Sequence, residues 1–270
     1  MNPEEHQSIA VSPRHTVVLA SELMVLTARP PRSDFVLRTL ARREANGMPL
    51  MSAELVIASE ATRKQHPLAD TYPLHFRKTY FPGRLHRDPR EEYEHHLLAS
   101  QLANIPAPIG HEPTVFRSCL IPGQPLSRLT PFGGEPPENN IVKAQNQPLA
   151  CAAGLWRLAE ETMAQMQKLH AGGLAHGDAE LHNCIICPAP LESVLIDFEA
   201  AIRRERLSEV DWQARCALDL APLLREAVYL QCALGRQPGP LGELSWSQME
   251  TLFKDGAPRF RTAIETRALV

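Results

Sequence analysis

The sequence predicts an α+β protein with a β-rich N-terminal lobe, which has one main helix, and a mostly helical C-terminal lobe. Residues 74–80 alternate apolar and polar side chains, a pattern typical of a strand with one buried face. Residues 88–103 combine helix-start residues with helical apolar spacing. Residues 131–148 are a polar stretch rich in Pro and Gly, and a long segment with helical spacing follows them. We therefore expect β-rich and helical parts on either side of a linker.

The chain of 270 residues is long enough for one large domain or for two small lobes around a cleft. We place the N-terminal lobe at residues 1–130, with a hinge near residues 119–123, and the C-terminal lobe at residues 131–270. Roughly the first third is expected to be β-rich, including the apolar segment of residues 16–29.

Composition and charge exclude several classes of protein. With a net charge of −3 and no basic stripe, the chain is not expected to bind nucleic acid. The N-terminus has no basic flank followed by an apolar core, so we expect no signal peptide, and no apolar run is long enough for a transmembrane segment. The six cysteines are scattered and are expected to be reduced. The sequence therefore predicts a cytoplasmic protein.

The helix of residues 88–103 has a recognisable start and a predicted buried face. Asp88 can cap it, and Pro89 suits the first helical position. His95 and His96 are expected to be exposed. The buried stripe is expected to consist of four apolar residues: Tyr93, Leu97, Leu98 and Leu102.

The C-terminal lobe is expected to contain three helices and a hairpin. The first helix has helical apolar spacing over residues 155–169 and ends at Gly172-Gly173. Two short strands, "CIIC" and "SVLID", flank the turn "PAPLE". Residues 216–234 are expected to form a buried helix, and residues 245–256 a shorter one with a capping-box start.

Two carboxylates and one amide lie close together in this lobe. Asn183 follows Asp178 by five residues, and Asp197 follows Asn183 by fourteen. The predicted hairpin would bring Asn183 and Asp197 to the same end. Oxygen ligands of this kind suit Mg²⁺, and Asp178 could accept a proton from an attacking hydroxyl. Asp and Asn are also common turn residues, so an ordinary loop role is the structural alternative.

At "HGDAELHN" and "LIDFE" the sequence resembles the protein-kinase-like superfamily. The resemblance implies a bilobal protein-kinase-like fold that binds ATP and Mg²⁺ and transfers a phosphate to a hydroxyl. It implies that Asp178 is the catalytic base and that Asn183 and Asp197 are the Mg²⁺ ligands. His176 would be the structural histidine of the catalytic loop.

The same resemblance covers roughly residues 50–235 and implies further roles. Lys78 in "HFRKTY" would hold the nucleotide phosphates, and Glu94 in "EYEHHLL" would be its helix partner. ATP would lie between the lobes, with Leu120 and Ile121 in the segment that contacts adenine. Asp219 in "CALDLAPLL" resembles the aspartate that anchors the catalytic loop. As alternatives, Lys78 is a solvent-facing strand residue and Glu94 a solvated helix residue.

The chain departs from the protein-kinase pattern in ways that leave the acceptor open. No Gly-rich loop precedes Lys78, and residues 59–64 are a candidate for covering the phosphates instead. Gly177 replaces the usual arginine, and an acid, Glu180, stands where a lysine is usual. The His-Gly-Asp sequence, together with the short segment between Asp197 and Asp219, is similar to aminoglycoside and choline-type phosphotransferases, lipopolysaccharide core kinases and small atypical protein kinases. A protein Ser/Thr acceptor is the first choice, a small-molecule or lipid-sugar hydroxyl the second, and a pseudokinase binding module the third.

Overall fold

The computed structural model describes residues 7–81, 88–126, 149–188 and 190–233. The chain divides into two compact units, which are Met1–Ser100 with Pro106–Pro122, and Gln101–Ile105 with Gly123–Val270. The predicted α+β class is confirmed. The predicted linker of residues 131–148 and the predicted helix of residues 245–256 lie outside the described residues.

The first unit begins with a small hairpin and a helix. Strands β1 (Gln7–Ala10) and β2 (Thr16–Leu19) pair antiparallel, and helix α1 (Ser21–Ala28) follows them directly. The expectation of β structure over residues 16–29 is therefore correct only for β2. The apolar run is divided at Ala20, and its second part packs as a helix because Leu23, Met24 and Leu26 contact the core cluster built on Val11, Leu19, Ile57 and Leu74.

A five-stranded antiparallel sheet forms the centre of the first unit. Its strands are β3 (Phe35–Ala45), β4 (Met48–Ile57), β5 (Leu74–Tyr80), β6 (Pro108–Glu112) and β7 (Val115–Cys119). They lie in the order β3-β4-β5-β7-β6, so β5 is the central strand. Asn46 and Gly47 form the turn between β3 and β4, with φ angles of 52° and 71°. Tight two-residue hairpin turns commonly require positive φ at both central residues.

Two short helices stand between β4 and β5. Helix α2 (Glu60–Gln65) starts at Ser59, whose hydroxyl accepts the N–H of Thr62 at 3.2 Å, and α3 (Pro67–Thr71) follows. Residues 59–64 therefore form a capped helix and not the loop expected there, while the suggestion that they cover phosphates stays a prediction. The Ser-x-x-Thr start and the helix-forming residues behind it explain the difference.

A buried network of charged and polar groups lies between the sheet and the start of α2. The Asp34 carboxylate accepts hydrogen bonds from the Ser59 N–H at 2.9 Å and the Thr62 hydroxyl at 2.7 Å, and lies 2.7 Å from Arg117 Nη1. Burial acts to raise the pKa of Asp34, but these donors outweigh it and hold the pKa well below its usual range. Burial, helped by Arg117, lowers the pKa of the adjoining His75 to about 3. The network joins the start of α2 to the sheet.

Helix α4 (Pro89–Ala99) packs on the sheet with a polar face. Asp88 caps it by accepting the Arg90 N–H at 2.8 Å, as predicted. The predicted buried stripe is correct only in part: Tyr93 packs against a core cluster, but Leu97 is 41% exposed, and Leu102 lies beyond the helix end. Besides Pro89 in the first turn, the buried residues follow the spacing i, i+3, i+4, i+7 and are Glu92, His95, His96 and Ala99. The two histidines, expected to be exposed, are each 2% exposed.

In its described residues, the second unit contains two long helices and several short strands. Helix α5 (Leu149–Ala171) buries Thr162, Met166 and Leu169 completely and ends at Gly172-Gly173, as predicted. The predicted hairpin is confirmed and pairs β10 (Cys184–Pro188) with β11 (Leu191–Leu195), while β8 (Gln124–Pro125) extends its sheet. Strands β9 (Leu174–Ala175) and β12 (Ile202–Arg203) form a second pair, and α6 (Glu209–Ala233) follows.

Among the described residues, no helix has both the length and the apolar character that crossing a membrane requires.

Candidate functional site

Asp178 and Asn183 are in direct contact within the second unit. They belong to the loop between β9 and β10, which ends in a single 3-10 turn over Leu181–Asn183. The Asn183 side-chain amide donates to the Asp178 carbonyl oxygen at 2.8 Å and to Asp178 Oδ2 at 3.2 Å. These bonds use the amide nitrogen of Asn183, so its amide oxygen is the atom that can act as a ligand. Asn183 is 3% exposed, and Asp178 is half-buried.

The hairpin places Asn183 and Asp197 at its same end. Cys184 pairs with Leu195, and the Ile196 N–H donates to the Asn183 carbonyl oxygen at 2.9 Å. Asn183 thus precedes the first paired residue of β10, and Asp197 follows the last paired residue of β11 by two positions. Pairing of two five-residue strands is sufficient to bring these polar residues to one edge.

Asp197 has a left-handed backbone, with φ 66° and ψ 70°. Outside glycine this conformation is uncommon, and Asn and Asp tolerate it best. The turn starts a 3-10 helix over Phe198–Ala200, which buries Phe198 completely. Unusual backbone of this kind is often concentrated at functional sites, where the surrounding structure maintains it.

The buried His176 ring joins the loop to the end of β11. The Asp178 N–H donates to His176 Nδ1 at 3.3 Å, and His176 Nε2 lies 2.9 Å from the Ile196 carbonyl oxygen. Because Nδ1 accepts a hydrogen bond, Nε2 is the ring nitrogen that carries the N–H and donates it to that carbonyl oxygen. The ring also packs on Phe198 at 4.6 Å between centroids. The His176 ring therefore links the backbone of Asp178 to the backbone beside Asp197.

Asp219 on α6 anchors the start of this loop. Its carboxylate, 1% exposed, accepts the backbone N–H groups of His176 at 2.7 Å and of Gly177 at 2.9 Å. His170 Nε2, at the end of α5, lies 3.0 Å from the same carboxylate and donates to it. One buried acid therefore satisfies three donors from two segments, which matches the role implied for Asp219.

Only glycine fits at position 177. Gly177 has φ +84°, and an added Cβ would lie 2.0 Å from the Ala200 carbonyl oxygen. Either the positive φ or the short distance alone would strain any residue with a side chain. The missing side chain lets the loop lie close to the 3-10 turn that follows Asp197. The glycine at position 177 therefore has a local steric cause.

The oxygen atoms in this region fit Mg²⁺ in chemical type. Mg²⁺ is usually held by one or two carboxylates together with phosphate oxygens and water. The Asn183 amide oxygen and the half-buried Asp197 carboxylate are oxygen ligands of this type at the hairpin end. Asp178 is in contact with Asn183, and a carboxylate of this kind can accept a proton.

The first unit holds a separate buried ion pair. Lys78 is 2% exposed, which excludes the interpretation as a solvent-facing strand residue. Its Nζ lies 3.3 Å from Oε1 of Glu92, which is 3% exposed. Burial of both charges is costly unless they remain paired and hydrogen-bonded, so the pair fixes α4 against β5.

The prediction that Glu94 is the partner of Lys78 is wrong. Glu94 accepts a hydrogen bond from Arg90 Nε at 3.0 Å, and its side chain is 43% exposed. This agrees with the alternative that Glu94 is a solvated helix residue. The error follows from the predicted apolar stripe, since Glu94 shares a face with Leu97 and Leu98. The helix turns the face of Glu92, His95 and His96 toward the sheet instead.

Sequence reasoning also missed Tyr80, whose hydroxyl donates to Glu92 Oε2. Residues two apart in a strand lie on one face, so the alternation of β5 could have grouped Tyr80 with Lys78. No corresponding signal identified Glu92, because apolar spacing gives no information on a helix that buries polar side chains.

Leu120 and Ile121 follow β7 in the last residues of the first unit. Both are partly buried, and Leu120 packs against the core cluster of Val11, Leu19, Ile57 and Leu74. The division between the units falls just beyond them, at Pro122 and Gly123. Their predicted role at adenine stays a prediction.

Neither a comparison with models of known protein families nor a comparison with curated proteins finds a match for this chain.

Proposed function

We propose that this protein is an ATP- and Mg²⁺-dependent phosphotransferase with a bilobal protein-kinase-like fold. The observation that carries the proposal is the loop of residues 176–183. In it the Asn183 amide donates to Asp178, while the buried Asp219 carboxylate accepts the N–H groups at the loop start. A rigidly held carboxylate beside oxygen ligands is what positioning a hydroxyl for phosphoryl transfer requires.

The proposed roles follow from the chemistry of each group. Asp178 orients the acceptor hydroxyl and accepts its proton, while Asn183 and Asp197 hold Mg²⁺. Bound Mg²⁺ would neutralise charge on the phosphate oxygens. His176 and Asp219 keep the loop in place and have no contact with substrate in this proposal.

The ion pair in the first unit supports the same proposal independently. Protein kinases use a strand lysine paired with a helix glutamate to hold the nucleotide phosphates. Lys78 on the central strand β5 and Glu92 on α4 make such a pair. We therefore assign Lys78 to the nucleotide phosphates and Glu92, in place of Glu94, to its partner. Leu120 and Ile121 remain the proposed adenine contacts.

A protein Ser/Thr hydroxyl is the acceptor we propose, with a small-molecule or lipid-sugar hydroxyl as the alternative. Glu180 is half-buried and lies two residues after Asp178. An acid there would repel phosphate at short range and attract a cationic group on the acceptor. A basic peptide and an amino-substituted small molecule both satisfy this requirement.

The proposal is tested with the full chain, ATP and Mg²⁺. We expect ATP to raise the melting temperature only when Mg²⁺ is present, because ligand bound to the folded state stabilises it. We also expect label from the γ-phosphate of ATP to appear in an acceptor when the protein is incubated with a cell lysate and a small-molecule panel. Mg²⁺-dependent stabilisation without any transfer would instead support the pseudokinase alternative. The absence of both stabilisation and transfer would contradict the proposal.

A further inference from the structure

The Lys78–Glu92 pair in the first unit has a third member. The Tyr80 hydroxyl donates to Glu92 Oε2, while Lys78 Nζ lies 3.3 Å from Glu92 Oε1. Tyr80 is 4% exposed, and the Lys78 ammonium lies 5.4 Å from the centroid of its ring. Each carboxylate oxygen of Glu92 thus has a partner on β5.

We propose that Tyr80 is a positioning residue for phosphate transfer, which fixes the Glu92 carboxylate and through it the Lys78 ammonium. This inference rests on the proposed function, because it concerns how Lys78 is presented to the nucleotide phosphates.

The strand geometry explains why Tyr80 can do this. Lys78 and Tyr80 are two residues apart in β5, so both side chains leave the same face of the sheet. The paired strands on either side hold β5 in register through the bridges Ala53↔Lys78 and Met51↔Tyr80 on one side and Lys78↔Phe116 on the other. The two donors are therefore at a fixed spacing along one strand.

The helix geometry makes this spacing useful. Glu92 projects from the buried face of α4, and a carboxylate held by one donor can still rotate about its terminal torsion. A second donor on the other oxygen removes that freedom. The ammonium is then aimed by a carboxylate of fixed orientation, and its remaining N–H donors are directed away from Glu92.

Small displacements at such a position have large kinetic effects. A misplacement of about 1 Å can reduce an enzymatic rate by about a hundredfold. Because the interaction of a lysine with the transferring phosphate strengthens in the transition state, loss of orientation reduces kcat more than it raises KM. The ring of Tyr80 belongs to the core cluster with Met51, Ala53 and Phe116. Phenylalanine keeps this ring, so Tyr80→Phe removes only the hydroxyl.

The test is a double-variant cycle in the full chain, with Tyr80→Phe and Glu92→Gln as the two changes. ATP is the phosphate donor, Mg²⁺ is present at a saturating concentration, and the acceptor is the one that takes up label from the γ-phosphate in the labelling experiment. We expect Tyr80→Phe to lower kcat by about tenfold or more while the KM for ATP changes by less than about threefold. In the Glu92→Gln background the same change is expected to have little further effect, because its action passes through the Glu92 carboxylate. Tyr93→Phe is the matched control, since it removes a phenol hydroxyl from the same core cluster, and kcat is expected to stay unchanged.

The outcomes separate this inference from the proposed function. If the wild-type protein transfers no phosphate, the proposed function fails and the role of Tyr80 fails with it. If the wild type is active and Tyr80→Phe has the same kcat, only the role of Tyr80 is overturned. Losses that multiply in the double variant overturn it as well, because a residue acting elsewhere would give independent effects. Where Glu92→Gln does not fold, the comparison of Tyr80→Phe with Tyr93→Phe decides the question.

Discussion

Replacement of Asp219 by alanine is expected to lower the free energy of unfolding by about 3–5 kcal/mol. The carboxylate satisfies the backbone N–H groups of His176 and Gly177 and the ring of His170, and it is almost fully buried. Alanine removes all three acceptor interactions and leaves two backbone donors without their present partner. Each buried donor without an acceptor costs about 1–3 kcal/mol. Chemical denaturation of wild type and variant measures the difference.

Asp211→Ala is the matched control for this prediction. Asp211 lies in the first turn of the same helix, α6, where it contacts the Ser208 hydroxyl at an exposed position. Its loss is expected to cost less than about 1 kcal/mol, since water replaces the lost interaction. Equal effects of the two variants would contradict the anchoring role of Asp219.

Asp197→Asn is expected to reduce Mg²⁺-dependent phosphate transfer by roughly a thousandfold while leaving the fold intact. Metal stabilisation of transition-state charge is worth several kcal/mol, and about 1.4 kcal/mol corresponds to a tenfold change in rate. Asparagine keeps the shape of the side chain and tolerates the left-handed backbone of residue 197, but it lacks the negative charge. The transfer rate is measured over a Mg²⁺ titration, together with the unfolding free energy.

Asp197→Ala separates the charge from the backbone. Alanine removes the same charge and is also disfavoured at φ 66°, so the variant is expected to be less stable than Asp197→Asn by about 1 kcal/mol. An Asp197→Asn protein that transfers phosphate at the wild-type rate would contradict the assignment of this residue to the metal.

The hairpin and the loop could be predicted from sequence because their causes are local. Two short apolar strands around a turn determine where Asn183 and Asp197 lie, and the structure places both at the same hairpin end. The end of α5 at Gly172-Gly173 was predictable for the same reason, since glycine suits the backbone that terminates a helix.

The buried face of α4 could not be predicted, because its cause is not local. An apolar stripe at Leu97 and Leu98 was the available signal, but the helix buries Glu92, His95 and His96. Burial of Glu92 becomes favourable only when β5 supplies Lys78 and Tyr80 as partners for its carboxylate. Similarly, nothing near Gly177 in the sequence indicates the Ala200 carbonyl that excludes any side chain there.

The most direct test of the proposed function compares the wild type with Asp178→Asn in transfer of the labelled γ-phosphate from ATP, at saturating Mg²⁺. Asparagine preserves the shape of the side chain but cannot accept the proton of the acceptor hydroxyl. We expect Mg²⁺-dependent transfer by the wild type and a loss of at least about a hundredfold in the variant, the usual contribution of a general base. Transfer at the same rate by both proteins, or none by the wild type with any acceptor, would contradict the assignment of this chain as a phosphotransferase.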